Sequence, residues 1–357
     1  MMQEKLNAIF NRFNHENDFD SYQELASGHI NDTFLIITKQ RPCYVLQRIN
    51  KNVFPDVPGL IQNKIQISAH LRSKLNNLHE EELRKKVLTF VKAKNGKSYF
   101  QDKEQHYWNL MVFIEGSQTF EVVEKVEIAY EAGKLFGTFL HLTSDFNTSK
   151  LIEVIPNFHS MSFRYQQFEA AFTKASKKRK DIAKKYISLI QQSKEEMHVL
   201  ESLQKSGKIR TRVTHNDTKI SNVLFDENNK GLCVIDTDTV MPGIVHFDFG
   251  DAIRTICNTT AEDETNIDLV NFNKDYYEAY KKGFLEKIGD SLTEVEKVYL
   301  PLGVKTMIFI MALRFLTDYL NNDSYYKTSY KEHNLDRAKN QLKLLEIFSN
   351  QVNTNVI

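Results

Sequence analysis

His215-Asn216-Asp217-Thr218-Lys219-Ile220-Ser221-Asn222, followed fourteen residues after Asn222 by Asp236, is the stretch whose reading decides the fold. It sets a carboxylate, a cation two residues on, an amide five residues on and a second carboxylate around one short hairpin. The flanks read as strand, turn and strand. Val223-Leu224-Phe225 is apolar, Asp226 to Gly231 is a polar turn ending in glycine, and Leu232 to Ile235 is apolar again. Phosphoryl transfer needs this set of groups: a base or orienting group for the acceptor hydroxyl, and oxygen ligands for Mg²⁺. Asp217 suits the first role, Asn222 and Asp236 the second, and Lys219 can neutralise charge on the transferred group.

Outward from the hairpin, the first third of the chain reads as a small sheet with one helix. Candidate strands are Tyr22–Ala26, Thr33–Thr38, Tyr44–Ile49, Val87–Ala93, Ser98–Gln101 and Trp108–Phe113, and Asn95-Gly96 is the strongest hairpin signal. Between the third and fourth strands, Ile61, Ile65, Leu71, Leu75 and Leu78 fall at helical spacing within Leu60–Leu78. Beyond Glu121 the pattern is mostly helical: Glu121–Leu142 (weakened by Gly133 and Gly137), Phe163–Ala175, Asp181–Leu203, Asn266–Phe284, Thr293–Leu320 and Asp336–Phe348. Strands first and helices after predict an α+β protein with segregated lobes, residues 1–114 and 115–357. The boundary falls at Val112-Phe113-Ile114-Glu115-Gly116, an ordinary strand end when read alone. In a two-lobed kinase it is the hinge, whose backbone at Phe113 and Ile114 meets the adenine. Near the N-terminus, Ser27 to Thr33 is a turn able to aim backbone N–H groups at phosphates, with Gly28 permitting close approach and Asn31 and Thr33 beside it.

Composition excludes several classes of partner. Lys and Arg total 47 against 46 for Asp and Glu over 357 residues, so no global field selects nucleic acid or an anionic membrane. The N-terminal residues carry no signal-peptide pattern, and no window is expected to approach a spanning helix. Cys43, Cys233 and Cys257 are odd in number and widely spaced, which predicts reduced core thiols in a cytoplasmic protein. The Lys-rich run 174–185 reads as a solvated helix face. Nothing in the sequence sets an oligomeric state.

With these residues in order, the chain resembles the aminoglycoside phosphotransferase and choline kinase superfamily, whose fold is protein-kinase-like. His215, Asp217 and Asn222 match its H-x-D-x-x-x-x-N loop, and Asp236 matches its I-D metal-binding strand. Gly243 to Asp248 fits the G-x-x-x-x-D element that follows, with Asp251 just beyond. Within the superfamily the chain looks most like the N-acetylhexosamine 1-kinases. That likeness is carried by Gly28 to Thr33, Leu46 to Asn50, Cys233 to Gly243, Asp248 to Arg254, and Arg314 to Leu320 with Tyr325 to Lys327. It implies ATP as phosphoryl donor, Mg²⁺, and transfer to the anomeric hydroxyl of N-acetylglucosamine or N-acetylgalactosamine. His29, Asp32, Asp217, Arg314 and Tyr325 are the implied sugar contacts. His215 and Lys219 join Asp217 in the implied catalytic loop. Other acceptors (choline, another sugar, an aminoglycoside) and a dead binding protein on a kinase scaffold are the alternatives.

One departure stands out. A typical kinase pairs a Lys on the third strand with a Glu on the next helix. Here that strand offers Gln47 and then Arg48, on opposite faces by alternation, and residues 57–79 contain no Asp or Glu. If Gln47 faces the nucleotide the charge clamp is missing. If Arg48 does, it lacks the helical partner. Alternation does not say which of the two faces the nucleotide, and Arg48 is carried as a nucleotide-binding candidate. Arg314, set amid Ile308, Phe309, Ile310, Met311, Phe315 and Leu316, requires either an ion pair or a ligand.

Overall fold

The structure, a computed structural model, describes residues 2–25 and 30–352. Strands β1 (Phe19–Glu24), β2 (Asp32–Thr38), β3 (Tyr44–Ile49), β4 (Phe90–Val91), β5 (Phe100–Gln101) and β6 (Tyr107–Val112) form one antiparallel sheet. Its order is β1-β2-β3-β6-β4, with β5 also on β6. Alternation divides its residues between two faces. Tyr44 and Leu46 join Phe34, Ile36, Trp108 and Leu110 on the outer face, closed by Leu6, Ile9 and Phe10 of α1 (Met2–Phe10). Ile49 turns the other way, onto Val57, Leu60 and Ile61 of α2 (Val57–Lys74). Asp56 caps α2, its carboxylate accepting the Gly59 N–H at 2.9 Å. A short α3 (Glu80–Lys86) follows, with three Glu in its first turn and three bases in its last, matched to the helix dipole.

The rest of the chain is mainly helical: α4 (Val126–Leu142), α5 (Met161–Lys174), α6 (Lys177–Gln192), α7 (Lys194–Met197), α8 (Val199–Lys205), α9 (Val245–Ile256), α10 (Lys274–Ile288), α11 (Glu294–Val298), α12 (Leu300–Leu320) and α13 (His333–Gln351). Two small ribbons interrupt them. β7 (Arg212–Thr214) pairs with β10 (Met241–Gly243), and β8 (Val223–Phe225) with β9 (Gly231–Val234), the hairpin expected from sequence. The expected α+β, two-lobed, kinase-like architecture is present, as a small antiparallel sheet followed by a larger helical region.

Differences from the sequence reading have local causes. The helix expected over Asp181–Leu203 is three helices, separated at Ser193 and His198. The one over Thr293–Leu320 is two, because Pro301 lacks the N–H that a continuous helix requires. Helix α10 begins at Lys274 rather than Asn266, capped by Asn273, whose side chain accepts the Tyr276 N–H at 3.1 Å. Helix α9 was not expected, although Val245, Phe249, Ala252, Ile253 and Ile256 fall at helical spacing; its polar residues His246, Asp248 and Asp251 are buried as well. The spanning-length expectation also needs correction, since α12, at 21 residues, is long and apolar enough to cross a membrane. However, 83% of its most apolar window is packed inside the protein. All three cysteines are free and buried.

Gly133, which weakens helix propensity in α4, has a packing reason. A Cβ there would collide with the Tyr280 carbonyl of α10, and Gly283 of α10 stands in the same relation to the Tyr130 carbonyl. The two backbones therefore meet directly. Gly133→Ala is expected to lower stability by about 1–3 kcal/mol through overpacking, despite its better helix propensity. Urea denaturation measures it, and a variant as stable as wild type would show that the helices can separate freely.

Candidate active site

The loop after β7 is held by helix α9. Asp248 accepts the backbone N–H groups of His215 at 2.7 Å and Asn216 at 2.8 Å, and Asp251 accepts that of Thr218 at 3.0 Å. The Thr218 hydroxyl donates back to the Asp248 carbonyl at 2.6 Å. Asp248 has no exposed surface, and burial pushes its pKa up to about 6 against the pull of those N–H donors. Asn216 sits at a φ of 64°, the left-handed conformation that Asn tolerates, so the chain turns sharply and presents Asp217 outward. The Arg212–Glu296 pair, fully buried at 2.9 Å, anchors β7.

Four of the expected residues converge here. Asn222 donates to the Asp217 carboxylate at 2.8 Å, and Lys219 Nζ lies 3.2 Å from the same oxygen. The Ile235 N–H donates to the Asn222 carbonyl at 2.9 Å, bringing the following Asp236 alongside. Asp236 adopts φ 56° and ψ 54°, a costly conformation for a non-glycine residue that aims its carboxylate at the loop. Burial, then Asp238 and Asp217, drive the Asp236 pKa well up from the usual carboxylate range. Burial alone would lower the Lys219 pKa, yet Asp217 and Asp236 raise it. His215 plays a different part from the one expected. Its ring is fully buried against Phe136 and Phe139, and Nε2 meets the Ile235 carbonyl at 2.9 Å, so it fixes the strand leading to Asp236 and does not face the cleft.

The missing clamp is found with its parts rearranged. Lys64 of α2 is buried and makes an ion pair with Asp238, two residues beyond Asp236, and donates to the Gln47 side chain at 3.1 Å. Asn31 also donates to Asp238, while its own oxygen accepts the Asn50 N–H at 2.8 Å. The cation therefore comes from the helix and the carboxylate from the metal-strand side. Gln47 is the inward-facing residue, and Thr33 pairs with it across the strands. Arg48 is corrected as a nucleotide contact: it lies on the outer face, its guanidinium 5.8 Å from the Trp108 ring, bonded to Asp32 at 2.5 Å. Asp32 is spent on that pair, which takes it away from the sugar role expected for it. Lys64 and Asp238 were missed. The signals were a lone Lys between Ile61 and Ile65, and a second Asp in Asp236-Thr237-Asp238.

At the hinge, the Phe113 N–H donates to the Cys43 carbonyl at 2.9 Å and the Ile114 carbonyl accepts from Ser117 at 2.6 Å. Gly28 and His29 lie outside the described residues. Arg314 is half-buried with no carboxylate partner among the described residues. Its guanidinium stands over the rings of Phe158 at 5.6 Å and Tyr326 at 5.5 Å. Tyr325, 73% exposed, points away, and its neighbour Tyr326 takes the place expected for it.

Removing one member of a buried ion pair strands the other. Lys64→Met is therefore expected to destabilise the fold by about 3–5 kcal/mol, and adding Asp238→Asn should recover part of that loss. A double-mutant cycle in urea measures the coupling. Strictly additive losses would show that the two side chains do not depend on each other.

Comparison with known proteins agrees with this geometry. The model of the phosphotransferase enzyme family matches residues 21–283. Among solved structures, a microcompartment-associated aminopropanol kinase superposes with a TM-score of 0.66 at 13% identity, over 97% of this chain and 96% of that one. An aminoglycoside phosphotransferase from Alicyclobacillus acidocaldarius gives 0.62 at 13% identity over 96% and 95%. A choline kinase from Cryptosporidium parvum gives 0.58 at 13% identity over 96% and 95%. At such identities the likeness speaks for the fold, and the family match speaks for the chemistry. The chain belongs to the phosphotransferase enzyme family, as a small-molecule phosphotransferase with a kinase-like fold.

Proposed function

We propose that the protein is an ATP- and Mg²⁺-dependent kinase that phosphorylates the anomeric hydroxyl of N-acetylglucosamine or N-acetylgalactosamine, giving the sugar 1-phosphate and ADP. The observation that carries the kinase reading is Asp217, one-third exposed on a loop whose backbone is tied to α9, with Lys219 and Asn222 on its carboxylate. In this reading Asp217 accepts the proton of the acceptor hydroxyl as its oxygen bonds to the γ-phosphorus. The bond to the bridging oxygen breaks and ADP leaves. Lys219 offsets charge on the transferred group, and the backbone at Phe113 and Ile114 receives the adenine.

The carboxylate donor set fits a divalent cation. Asp236 is crowded by Asp217 and Asp238; burial first, and then the negative charge of these two, raise its pKa, and Lys219 and Lys64 only partly offset this. Asn222 and Asp236 would hold Mg²⁺, which would supply charge neutralisation at the phosphates. Asn31 and Thr33 lie on the sheet side of the same cleft, and Arg314 at the acceptor end. The choice of an N-acetylhexosamine rests on the resemblance carried by Cys233 to Gly243, Asp248 to Arg254 and Arg314 to Leu320.

Asp217→Asn keeps the shape and removes the base. Turnover is expected to fall about 10²-fold or more while the melting temperature and ATP binding stay near wild type. Near-normal turnover in the folded variant would sink the assignment of Asp217. The acceptor position has its own test: a 1-O-methyl glycoside of N-acetylglucosamine lacks the reacting hydroxyl and should be inert, whereas the 6-deoxy sugar should react. Phosphorylation of the methyl glycoside at a comparable rate would rule out a 1-kinase.

A further inference from the structure

Beside the catalytic loop lies a group of polar side chains that, among the described residues, lack either a counter-charge or a hydrogen-bond partner. Arg164, in the first turn of α5, donates through Nη2 and Nε to the Phe158 carbonyl at 2.7 and 3.2 Å and through Nη1 to the Gln167 side chain at 2.9 Å, and Arg314 stands over the Phe158 ring. Neither guanidinium has a carboxylate partner among the described residues. They repel each other: burial first, and then Arg314, bring the Arg164 pKa down to about 10. His159 is only 9% exposed, its ring wedged between Phe158 at 4.3 Å and Phe247 at 5.0 Å, and neither ring nitrogen has a partner among the described residues. The Tyr326 hydroxyl, under Arg314, is buried and also without a partner among the described residues.

Arg254 of α9 belongs to the same neighbourhood but is neutralised by Asp251 at 3.0 Å and Glu262 at 2.9 Å. Asp251 is the residue that fixes the Thr218 N–H, so the group adjoins Asp217. Two half-buried cations without counter-charge, beside two orphaned polar side chains, cost the fold free energy that a ligand can recover. The ligand must bring oxygen acceptors. A cationic ligand would add a third positive charge to the pair.

We infer that Arg164, Arg314, His159 and Tyr326 form a specificity subsite of the acceptor pocket, taking a carbonyl or carboxylate oxygen on the acceptor and excluding ammonium-bearing acceptors. This rests on reading the face beside Asp217 as the acceptor end of a kinase site. On an N-acetylhexosamine the oxygen is that of the acetamido group. The subsite sets this protein apart from a kinase for choline or an amino alcohol, which would want carboxylates or an open aromatic cage there.

The test is calorimetric binding at neutral pH, which is independent of turnover, with N-acetylglucosamine, glucosamine, choline and glycerate, on wild type, Arg164→Gln and Arg314→Gln. N-acetylglucosamine and glucosamine share a ring and differ at C2, acetamide against ammonium. Wild type is expected to prefer the acetamide by about 10²-fold, and each variant, still folded and with ATP affinity unchanged, to narrow that ratio at least about 10-fold. Glucosamine or choline binding as well as N-acetylglucosamine overturns the subsite, as does a ratio that Arg164→Gln leaves intact. Glycerate binding tightly while both sugars fail would keep the subsite and remove the sugar-kinase reading instead.

Discussion

Two carboxylates one turn apart on α9 hold the loop on which everything else in the cleft depends. Asp248 and Asp251 together accept three consecutive-region N–H groups, those of His215, Asn216 and Thr218, and this is what allows Asp217 to stand outward on a tight left-handed turn. A loop carrying its own catalytic group would otherwise spend that group on its own backbone. Here the backbone is satisfied from behind by buried acids, and Asp217 keeps its oxygens for Asn222, Lys219 and a ligand. The cost is a fully buried Asp248, offset by charge-assisted hydrogen bonds to the N–H groups it fixes. His215 adds the second constraint, tying the loop to the strand that delivers Asp236.

Across the cleft the same charge requirement is met with exchanged partners. A typical kinase orients a cation with a carboxylate, and Lys64 and Asp238 form such a pair with the Lys on the helix. Gln47 accepts from Lys64 and occupies the strand position that a Lys would fill in the usual arrangement. Because Asp238 follows Asp236 by two residues, the helix, the sheet turn at Asn31 and the metal strand are locked in one network.

How much of this could be read from the chain depended on the range of the interaction. The hairpin around Asp217, Asn222 and Asp236 was legible because turn chemistry and catalytic spacing are local. So were the sheet and most of the long helices, whose apolar residues keep a period. The period of helix α9, in Val245, Phe249, Ala252, Ile253 and Ile256, was equally legible and went unread. The pairing of Arg48 with Asp32 was decided by strand register, sixteen residues apart, and sequence alternation alone placed Gln47 and Arg48 on opposite faces without saying which face was inward. Lys64 and Asp238 are 174 positions apart, so neither announces the other.

The acceptor end shows the same limit and what resolves it. Arg314 amid apolar neighbours demanded a partner, and an ion pair was as natural an answer as a ligand. Among the described residues Arg314 has no carboxylate partner; its guanidinium stands over aromatic rings, and a second Arg without a carboxylate, Arg164, donates to the carbonyl of the same Phe158. Natural folds rarely keep two such cations without a counter-charge, since the desolvation of each is uncompensated. Nearby acids exist, yet Asp251 and Glu262 are committed to Arg254 and Asp318 to the turn at Ser324–Tyr326. The positive potential at this end is thus a property of how the carboxylates are distributed, not of the net charge of the chain, which is close to zero. A family that shares one catalytic loop can therefore sort its acceptors by where the surrounding acids are spent.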